Sequence, residues 1–243
     1  MPVEVILLSE HESHVQVVNE TAYEVNVNHY RDRTQERFVA ADKWLLPILT
    51  TLSNRPGARA LDVGCAVGTN SLYLAKQGYE VTGLGLSPRM ISAARAASRD
   101  TGLDNRPVFV RQDFCTWVPE DHLYELVLAT AFVHLFPEPL DGSITDALLS
   151  HVAPGGSAII STTVEADHSQ GLRSKYDDEG PGPGQPLSDL RWRNHYTRRS
   201  FRSLIEQASV SRPGTTWAVD EHMSPDPGRP QKSWSDIVVT RTS

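Results

Sequence analysis

Apolar residues recur along the chain with two different periods, and the period changes near residue 57. From Phe38 to Leu52, apolar side chains lie three or four positions apart, which predicts a helix, and breaker residues at 54–57 end it. Residues 1–33 are polar and uneven. Short apolar runs then alternate with helical patterns, and five of these runs predict strands: 59–63, 80–84, 108–111, 124–131 and 157–164.

Helices are predicted between these strands. Ser87 and Pro88 favour a helix start, because serine accepts an orphan backbone N–H and proline at the first helical position has none to lose. Residues 69–77 and 144–152 carry two further helical patterns. Strands that alternate with helices form parallel βαβ units. Residues 216–221 and 234–240 predict two more strands, which are antiparallel because a short Pro- and Gly-rich turn joins them.

We therefore predict a single α/β domain over residues 1–243, with a doubly wound, mostly parallel seven-stranded sheet and an antiparallel C-terminal strand. Residues 1–55 form an N-terminal helical segment in this interpretation. Residues 165–196 interrupt the alternation, and the stretch Gly180–Gly184 fits neither a helix nor an interior strand. An inserted loop of this length in a compact domain is usually functional, and we expect it near a ligand pocket.

Composition limits the classes of protein to which the chain can belong. Apolar residues make up 39% of its 243 positions and charged residues 22%, which permits a sizeable core. A net charge of −7 argues against a general nucleic-acid binder, because phosphate contacts need a basic face. Two cysteines without metal-ligand spacing predict neither disulfides nor a metal site, and no apolar run approaches the ~20 residues that span a bilayer. We expect a cytoplasmic protein.

The segment Ala60–Thr69 (ALDVGCAVGT) has the pattern of a strand, a tight turn and a helix start. Small residues at Gly64, Ala66 and Gly68 let a ligand approach the backbone, and the helix N-terminus offers free N–H groups. An ordinary βα loop also favours glycine. The dinucleotide fingerprint G-x-G-x-x-G is a poor match, because Ala66 and Thr69 stand where it needs glycine.

Five motifs in order resemble those of class I S-adenosylmethionine (SAM)-dependent methyltransferases. Asp62–Gly68 resembles the first motif, an acid followed by G-x-G-x-G, and 80–91 (EVTGLGLSPRMI) resembles the second. The others are Gln112–Phe114 after strand three, 126–136 (LVLATAFVHLF) at strand four, and Pro154–Gly156 before strand five. The resemblance implies a Rossmann-like methyltransferase fold, SAM as cofactor and S-adenosylhomocysteine (SAH) as product.

The resemblance also implies a role for individual positions. Asp62 and the turn residues Gly64, Ala66 and Gly68 would hold the methionine end of SAM. Leu86 and Met90 of the second motif would sandwich the adenine, and Asp113 and Phe114 of the third would bind its amino group and ring. Thr130 and Ala131 of the fourth would line the sulfonium. Tyr30 would belong to a lid, formed by the N-terminal segment, that folds over SAM.

Two positions depart from the family pattern. Ala66 replaces the middle glycine of the first motif, which costs some clearance. Gly85 stands where the family has an acid that binds both ribose hydroxyls. Since a hydrogen bond to a charged group contributes about 1.5–3 kcal/mol, its loss is expected to weaken SAM by roughly tenfold or more unless another group substitutes.

The acceptor side of the site is less well marked. His134 follows strand four, where many small-molecule members of the family have a histidine near the acceptor, and an imidazole titrates near neutrality. A packing histidine is the alternative. Trp192, His195 and Tyr196 follow the insert and resemble the family's acceptor wall. They would equally serve to anchor the last helix, which the apolar positions Phe201, Leu204, Ile205 and Ala208 predict. Arg191, Arg193, Arg198 and Arg199 form a local basic cluster, which we interpret as a solvated helix start; attraction of an anionic substrate is the alternative.

The first hypothesis is SAM-dependent methyl transfer to O or N of a small-molecule metabolite by a monomer or homodimer, without metal, nucleic acid or membrane. The alternative is a methyltransferase-like protein that has lost methyl transfer and serves as a binding subunit or catalyses another reaction. Gly85 and Ala66 support that alternative. A nicotinamide-dependent oxidoreductase is disfavoured by the glycine spacing and by the same missing acid.

Overall fold

A computed structural model gives the fold. It describes residues 5–52, 57–103, 105–118, 123–174, 184–212, 214–226, 229 and 231–242. Residues 54–56 of the predicted helix stop and 180–183 of the Gly/Pro stretch lie outside these ranges. The described residues form nine strands: β1 (Arg59–Val63), β2 (Glu80–Gly85), β3 (Val108–Arg111), β4 (Tyr124–Thr130), β5 (Val152–Glu165), β6 (Ser169–Ser174), β7 (Leu190–Thr197), β8 (Trp217–Pro225) and β9 (Ser233–Arg241).

Seven of these strands form the central sheet, in the order β3-β2-β1-β4-β5-β9-β8. Strands β1 to β5 are mutually parallel, whereas β9 is antiparallel to both of its neighbours. This arrangement confirms the predicted fold class, including the antiparallel C-terminal strand. The strand order reverses between β1 and β4, and open α/β sheets bind ligands in the crevice at such a switch point.

Helices cover both faces of the sheet. They are α1 (Glu10–Val25), α2 (Val27–Asp32), α3 (Thr34–Thr51), α4 (Thr69–Lys76), α5 (Pro88–Asp100), α6 (Leu140–Ser150) and α7 (Arg198–Val210). On one face, Ile144 of α6 and Phe201 of α7 pack on Val127 of β4. On the other, Leu45 of α3 and Leu74 of α4 belong to the opposite core cluster. Each fully buried side chain of this kind contributes about 1.5–3 kcal/mol, so the two cores fix the strand ends that form the site.

Two sequence expectations about chain segments need correction. Residues 165–196 are not a loop throughout, because β6 and β7 form an antiparallel hairpin within them. Strand β7 also continues the sheet beyond the end of β4, pairing in parallel with Val164 and Glu165. Strand β5 begins at Val152 rather than at 157, and the Pro-Gly-Gly sequence is accommodated by an irregularity in its pairing with β4.

The N-terminal segment consists of helices α1 to α3, although no helical period is visible before residue 34. Ser9 and Glu12 form a reciprocal capping box, which fixes the start of α1. Asn19 ties α1 to the insert, since its Oδ1 accepts the Trp192 backbone N–H at 2.8 Å. In the part of the chain that the structure describes, no helix has the length and apolar character required to cross a membrane.

Candidate functional site

A cavity of about 1380 Å³ opens at the carboxyl ends of β1, β2 and β4. Residues of α1, α2 and α3 line it from the N-terminal segment, and residues of β7, β9 and the turn before β9 line its other side. Ordinary small-molecule sites occupy about 300–1,000 Å³. This cavity therefore has room for a nucleoside-sized cofactor together with a second small molecule.

The turn after β1 has the backbone that its small residues predict. Gly64, Ala66 and Gly68 all have positive φ values of 72°, 46° and 81°. A Cβ at Gly64 would lie 2.6 Å from the Phe132 ring, so this position requires glycine for packing as well as for backbone conformation. Gly64 and Ala66 line the cavity. Ala66 is the exception to the usual preference, since left-handed backbone disfavours an L-residue by about 1–2 kcal/mol.

Gly68 and Asp62 are not on the cavity wall, although the sequence assigned both to the cofactor. A Cβ at Gly68 would lie 2.6 Å from the Phe109 ring, so this glycine serves the contact between α4 and β3. Asp62 is buried under the first turn of α4, where Ser71 donates to its Oδ2 at 2.6 Å. Burial raises the pKa of Asp62 to about 7, against the opposing effect of the Ser71 hydrogen bond. Both residues therefore shape the turn from behind.

The cavity wall at the end of β2 contains Gly85, Leu86 and Met90, as the second motif suggests. Gly85 leaves apolar surroundings where an acid was expected: a Cβ there would lie 3.2 Å from Cδ1 of Ile91 and 3.6 Å from Sγ of Cys65. The acid that approaches this edge comes from α1 instead. Glu24 accepts hydrogen bonds from the Ser87 hydroxyl and from the Arg89 backbone N–H.

Asp113 and Phe114 line the same end of the cavity. Asp113 holds its own turn, because its Oδ1 accepts the Cys115 backbone N–H at 3.0 Å. Phe114 stands edge-on to Phe132, with ring centroids 5.8 Å apart. A carboxylate beside a buried aromatic ring offers one acceptor and one apolar surface, which suits a purine with an exocyclic amino group.

Tyr30 reaches the cavity from α2, and the Arg37 guanidinium lies 4.5 Å from the centre of its ring. Burial and the neighbouring Tyr23 raise the pKa of the Tyr30 hydroxyl, so it stays protonated as a hydrogen-bond donor. The N-terminal helices thus supply an aromatic wall opposite the sheet edge.

Beyond β4, the backbone turns sharply at Ala131, which has a φ of 53°. Thr130 and Ala131 both line the cavity. The Thr130 hydroxyl is buried and has no hydrogen-bond partner among the described residues. A buried polar atom without a partner is uncommon in native proteins, and on a cavity wall it indicates a place where a ligand atom completes the hydrogen bond.

His134 lies on the cavity wall in a short 3₁₀ turn, and it is buried. Its Nδ1 is 2.9 Å from the Thr162 hydroxyl, and its Nε2 is 3.4 Å from a guanidinium nitrogen of Arg193. A guanidinium can only donate, so Nε2 accepts and the imidazole proton is on Nδ1. Both ring nitrogens thus contact other side chains of the protein, an arrangement that is not expected of an imidazole acting as a base.

The structure does not place Trp192, His195 and Tyr196 on the cavity wall. Tyr196 is buried in the core and donates to Asp141 Oδ2 at 2.7 Å, His195 hydrogen-bonds Glu165, and Trp192 packs against His11. Arg191 and Arg193 line the cavity instead. Side chains alternate along a strand, so Arg191 and Arg193 share one face of β7 and Trp192 and Tyr196 the other. His195 is on the arginine face but hydrogen-bonds Glu165 and does not line the cavity.

Asp236 is a further cavity residue that sequence reasoning missed. It belongs to β9, where it is 4% exposed. An acid directly before the apolar run Ile237–Val239 was the available signal. Together with Thr130, His134 and Arg193, it forms what we call the acceptor end of the cavity.

Among the described residues, no group of three or more His, Cys, Asp or Glu side chains is arranged to hold a metal ion. The wall does fit SAM. The glycine turn, the Asp113–Phe114 edge and the unpartnered Thr130 hydroxyl lie on one continuous surface. The ribose position is the one place where the expected acid is missing.

The chain is similar in sequence to known proteins. A family model described as a methyltransferase domain matches residues 30–209, about three quarters of the chain. Among curated proteins, the chain is 32% identical over 112 residues to the ubiquinone biosynthesis O-methyltransferase of Xylella fastidiosa, which is 44% of this chain and 42% of that protein. The match thus spans less than half the length of this relative.

Two solved structures share the fold. The 1,6-didemethyltoxoflavin-N1-methyltransferase of Burkholderia thailandensis, with bound 1,6-didemethyltoxoflavin and SAH, superposes with a TM-score of 0.67 at 19% identity, covering 100% of this chain and 94% of that one. The [4+2]-cyclase SpnF superposes with a TM-score of 0.60 at 16% identity, covering 83% and 81%. At these identities the likeness is one of fold.

Proposed function

Because this chain belongs to the methyltransferase domain family, we propose that it binds SAM in the cavity and transfers the methyl group to O or N of a small molecule. The observation that carries the proposal is one cavity of about 1380 Å³ that contains both the SAM-type motifs and a separate polar acceptor end. The O- and N-methyltransferases to which the chain is similar support a small-molecule acceptor.

When bound, SAM supplies an electrophilic methyl group on a positively charged sulfur. The protein's contribution is placement, since holding reactants about 3–3.5 Å apart in line supplies much of the rate of such a transfer. Gly64 and Ala66 would face the methionine end, Leu86 and Met90 the adenine, and Asp113 its amino group. Tyr30 and the N-terminal helices would close over the cofactor and exclude water.

At the acceptor end, His134 and Arg193 would work as a pair. Arg193 is buried, and it donates to His134 and, at 2.5 Å, to the Thr163 hydroxyl. A guanidinium fixed in this way directs its charge at the acceptor space. His134 thereby orients Arg193, in addition to the base role that its position in the family suggests.

Calorimetry with SAM, SAH and NAD tests the proposal directly. We expect micromolar binding of SAM and SAH and none of NAD. Methyl-labelled SAM and a panel of phenols, heteroaromatic N–H compounds, amines and carboxylates then identify the acceptor class by label transfer. Gly68→Val does not test a cofactor contact, because the extra side chain would meet Phe109 at a positive φ and disturb the turn itself.

A second candidate is a methyltransferase-like protein that catalyses another reaction or serves as a binding subunit. Gly85 favours it, because the expected ribose contact is absent, and the similar fold of a cyclase supports it. SAM or SAH binding without label transfer to any acceptor supports this candidate. If neither SAM nor SAH binds, the first candidate function, methyl transfer from SAM, is contradicted.

We also propose where the protein functions and how it assembles. Cys65 and Cys115 are buried free thiols, as expected in the reducing cytoplasm. The net charge of −7 supports a small-molecule partner rather than nucleic acid. We propose a monomer or homodimer, which sedimentation would distinguish.

A further inference from the structure

A row of polar side chains crosses four strands at the acceptor end. Thr130 of β4 pairs with Ser161 of β5, and Ser161 pairs with Asp236 of β9. Asp236 pairs in turn with His222 of β8. Directly paired residues point to the same face of a sheet, so the row shares one face. Thr130 and Asp236 both reach the cavity wall.

Asp236 is an unusual group for such a wall. Its carboxyl is buried, and the part of the chain with assigned positions offers it no ion-pair partner. Burial raises the pKa of Asp236, while the Ser161 hydroxyl and the His222 imidazole act in the opposite direction. A buried acid without a cation is costly to maintain, and titratable groups of this kind concentrate at functional sites.

We propose that Asp236 is the proton acceptor of the reaction, and that the methyl acceptor is therefore a protic molecule, such as a phenol or a heteroaromatic N–H compound. This inference rests on the proposed function. His134 is less suited to the task because Thr162 and Arg193 engage both of its ring nitrogens. The acceptor's reacting O–H or N–H would lie over Ser161, between Thr130 and Asp236.

The spacing of the strands fits this arrangement. Neighbouring strands lie about 4.7–4.9 Å apart, so Thr130 and Asp236 are separated by roughly 10 Å across β5. A methyl carbon and its nucleophile are about 3–3.5 Å apart before reaction. A hydrogen bond of about 2.6–3.2 Å joins the nucleophile to its base. Methyl group, acceptor atom and carboxylate thus fit in line over Ser161.

The chemical step balances with these groups. A lone pair of the acceptor atom forms the new bond to the methyl carbon, and the electrons of the broken C–S bond return to sulfur, which yields SAH. The acceptor's proton passes to a carboxylate oxygen of Asp236. The carboxyl group then releases this proton to solvent before the next turnover, so no further reactant is required.

Other charged groups lie on the elements around Asp236 and define the controls. His222 faces Asp236 from β8 and is exposed. Asp226 and Arg229, in the turn before β9, pair with each other at 3.0 Å. Arg191 and Arg193 reach the wall from β7, and Lys232 pairs with Glu165 at 2.6 Å. His222→Gln and Asp226→Asn separate these contributions from that of Asp236.

A binding experiment tests the placement without any acceptor. SAM carries a positive sulfur and SAH does not, so an ionised Asp236 should favour SAM over SAH. With an effective dielectric of about 20 at this range, the preference is on the order of tenfold. We expect the ratio of the SAH and SAM dissociation constants to rise with pH as Asp236 ionises. Asp236→Asn should abolish this rise, whereas His222→Gln and Asp236→Glu should retain it.

The outcomes separate the inference from the function on which it rests. A SAM preference that ignores pH, or that Asp226→Asn removes instead, overturns the role of Asp236 while leaving SAM binding intact. Failure of the native protein to bind either ligand overturns the proposed function and this inference with it.

A kinetic measurement then tests proton transfer. With a phenolic acceptor identified in the label-transfer panel and SAM at saturation, Asp236→Asn should lower kcat by about 10²–10⁴-fold, beyond the roughly tenfold loss of SAM preference expected in binding. Methyl transfer to an aprotic acceptor, such as a tertiary amine, should be spared. Equal losses for both acceptor types, or an unchanged kcat with the phenol, would contradict the assignment, as would a panel in which only aprotic acceptors are methylated.

Discussion

Arg193 donates to Nε2 of His134 across 3.4 Å, joining the hairpin strand β7 to the loop after β4. Both side chains are buried, and both line the cavity. The sequence predicts that His134 lies near the acceptor, but it does not predict that Arg193 lies beside it. The contact changes the chemistry expected of the imidazole from proton transfer to the orientation of a neighbouring cation.

Two substitutions at His134 distinguish these roles. His134→Gln places an amide oxygen near the former Nε2 and can still accept from Arg193, but it cannot act as a base. His134→Phe removes the acceptor, and leaving a buried donor group unsatisfied costs about 1–3 kcal/mol. We expect kcat/KM for the acceptor to fall much further in His134→Phe than in His134→Gln, with SAM affinity unchanged by calorimetry. Equal losses, with an altered pH–rate profile, would restore the base role.

The second prediction concerns the pH dependence of stability. The pKa of Asp62 is about 7 in the folded protein, against a usual value of 3.8. The folded state therefore holds a proton that the unfolded state has lost between these two values, and its stability falls as pH rises through that window. We expect Asp62→Asn to gain about 1–3 kcal/mol over the native protein at pH 8 and little at pH 4, measured by urea unfolding.

Asp42→Asn is the matched control, because Asp42 also accepts a side-chain hydroxyl, from Tyr73 at 2.7 Å, but is exposed on α3. It should show no comparable gain at high pH. If Asp62→Asn destabilises the protein equally at both pH values, its carboxylate is ionised and better satisfied than its burial indicates.

The third prediction concerns strain in the turn after β1. Ala66 has a φ of 46°, a conformation that glycine adopts without penalty. Ala66→Gly should therefore raise the free energy of unfolding by about 0.5–1 kcal/mol, after allowance for the greater chain entropy of glycine. Ala96→Gly, in the middle of α5, is the control and should lose about 1 kcal/mol. A loss of stability in Ala66→Gly would show that the methyl group packs favourably enough to outweigh the strain.

How far the sequence predicts this molecule depends on whether the feature is local. The strands and the helix at Ser87 follow from short patterns of apolar residues and caps, so the parallel sheet and its antiparallel last strand are predicted correctly. Local reasoning does not anticipate that Gly68, which resembles a ligand-binding glycine, is also required by the Phe109 ring, forty-one positions further along the chain. Nor does it anticipate β7, where side chains alternate between the two faces of the strand, so that Arg193 lines the cavity and Tyr196 is buried in the core.

The last prediction concerns the ribose position. Gly85 has an ordinary backbone conformation, and a Cβ there would press only on the flexible end of Ile91, at 3.2 Å. Gly85→Asp should therefore be accommodated at the end of β2, where the family has an acid. Its carboxylate would restore hydrogen bonds to the ribose hydroxyls, with a total gain of about 1–3 kcal/mol, the range of hydrogen bonds to a charged group. We expect SAM to bind roughly five- to a hundredfold more tightly, as measured by calorimetry.

The controls for Gly85→Asp separate charge, size and hydroxyl recognition. Gly85→Ala tests whether the Ile91 side chain can move to accommodate a Cβ, and Gly85→Asn tests the effect of side-chain size without the charge. Both variants should gain much less SAM affinity than Gly85→Asp. Binding of a 2′,3′-dideoxy analogue should not improve, because it has no hydroxyls for the carboxylate to accept from. Weaker SAM binding by Gly85→Asp would mean that another group, with Glu24 of α1 the nearest candidate by its contact to Ser87, already serves the ribose. If the native protein binds no SAM and Gly85→Asp does not change this, the cavity binds another ligand. The reason is that a restored acid can strengthen SAM binding only in a site that still receives the ribose.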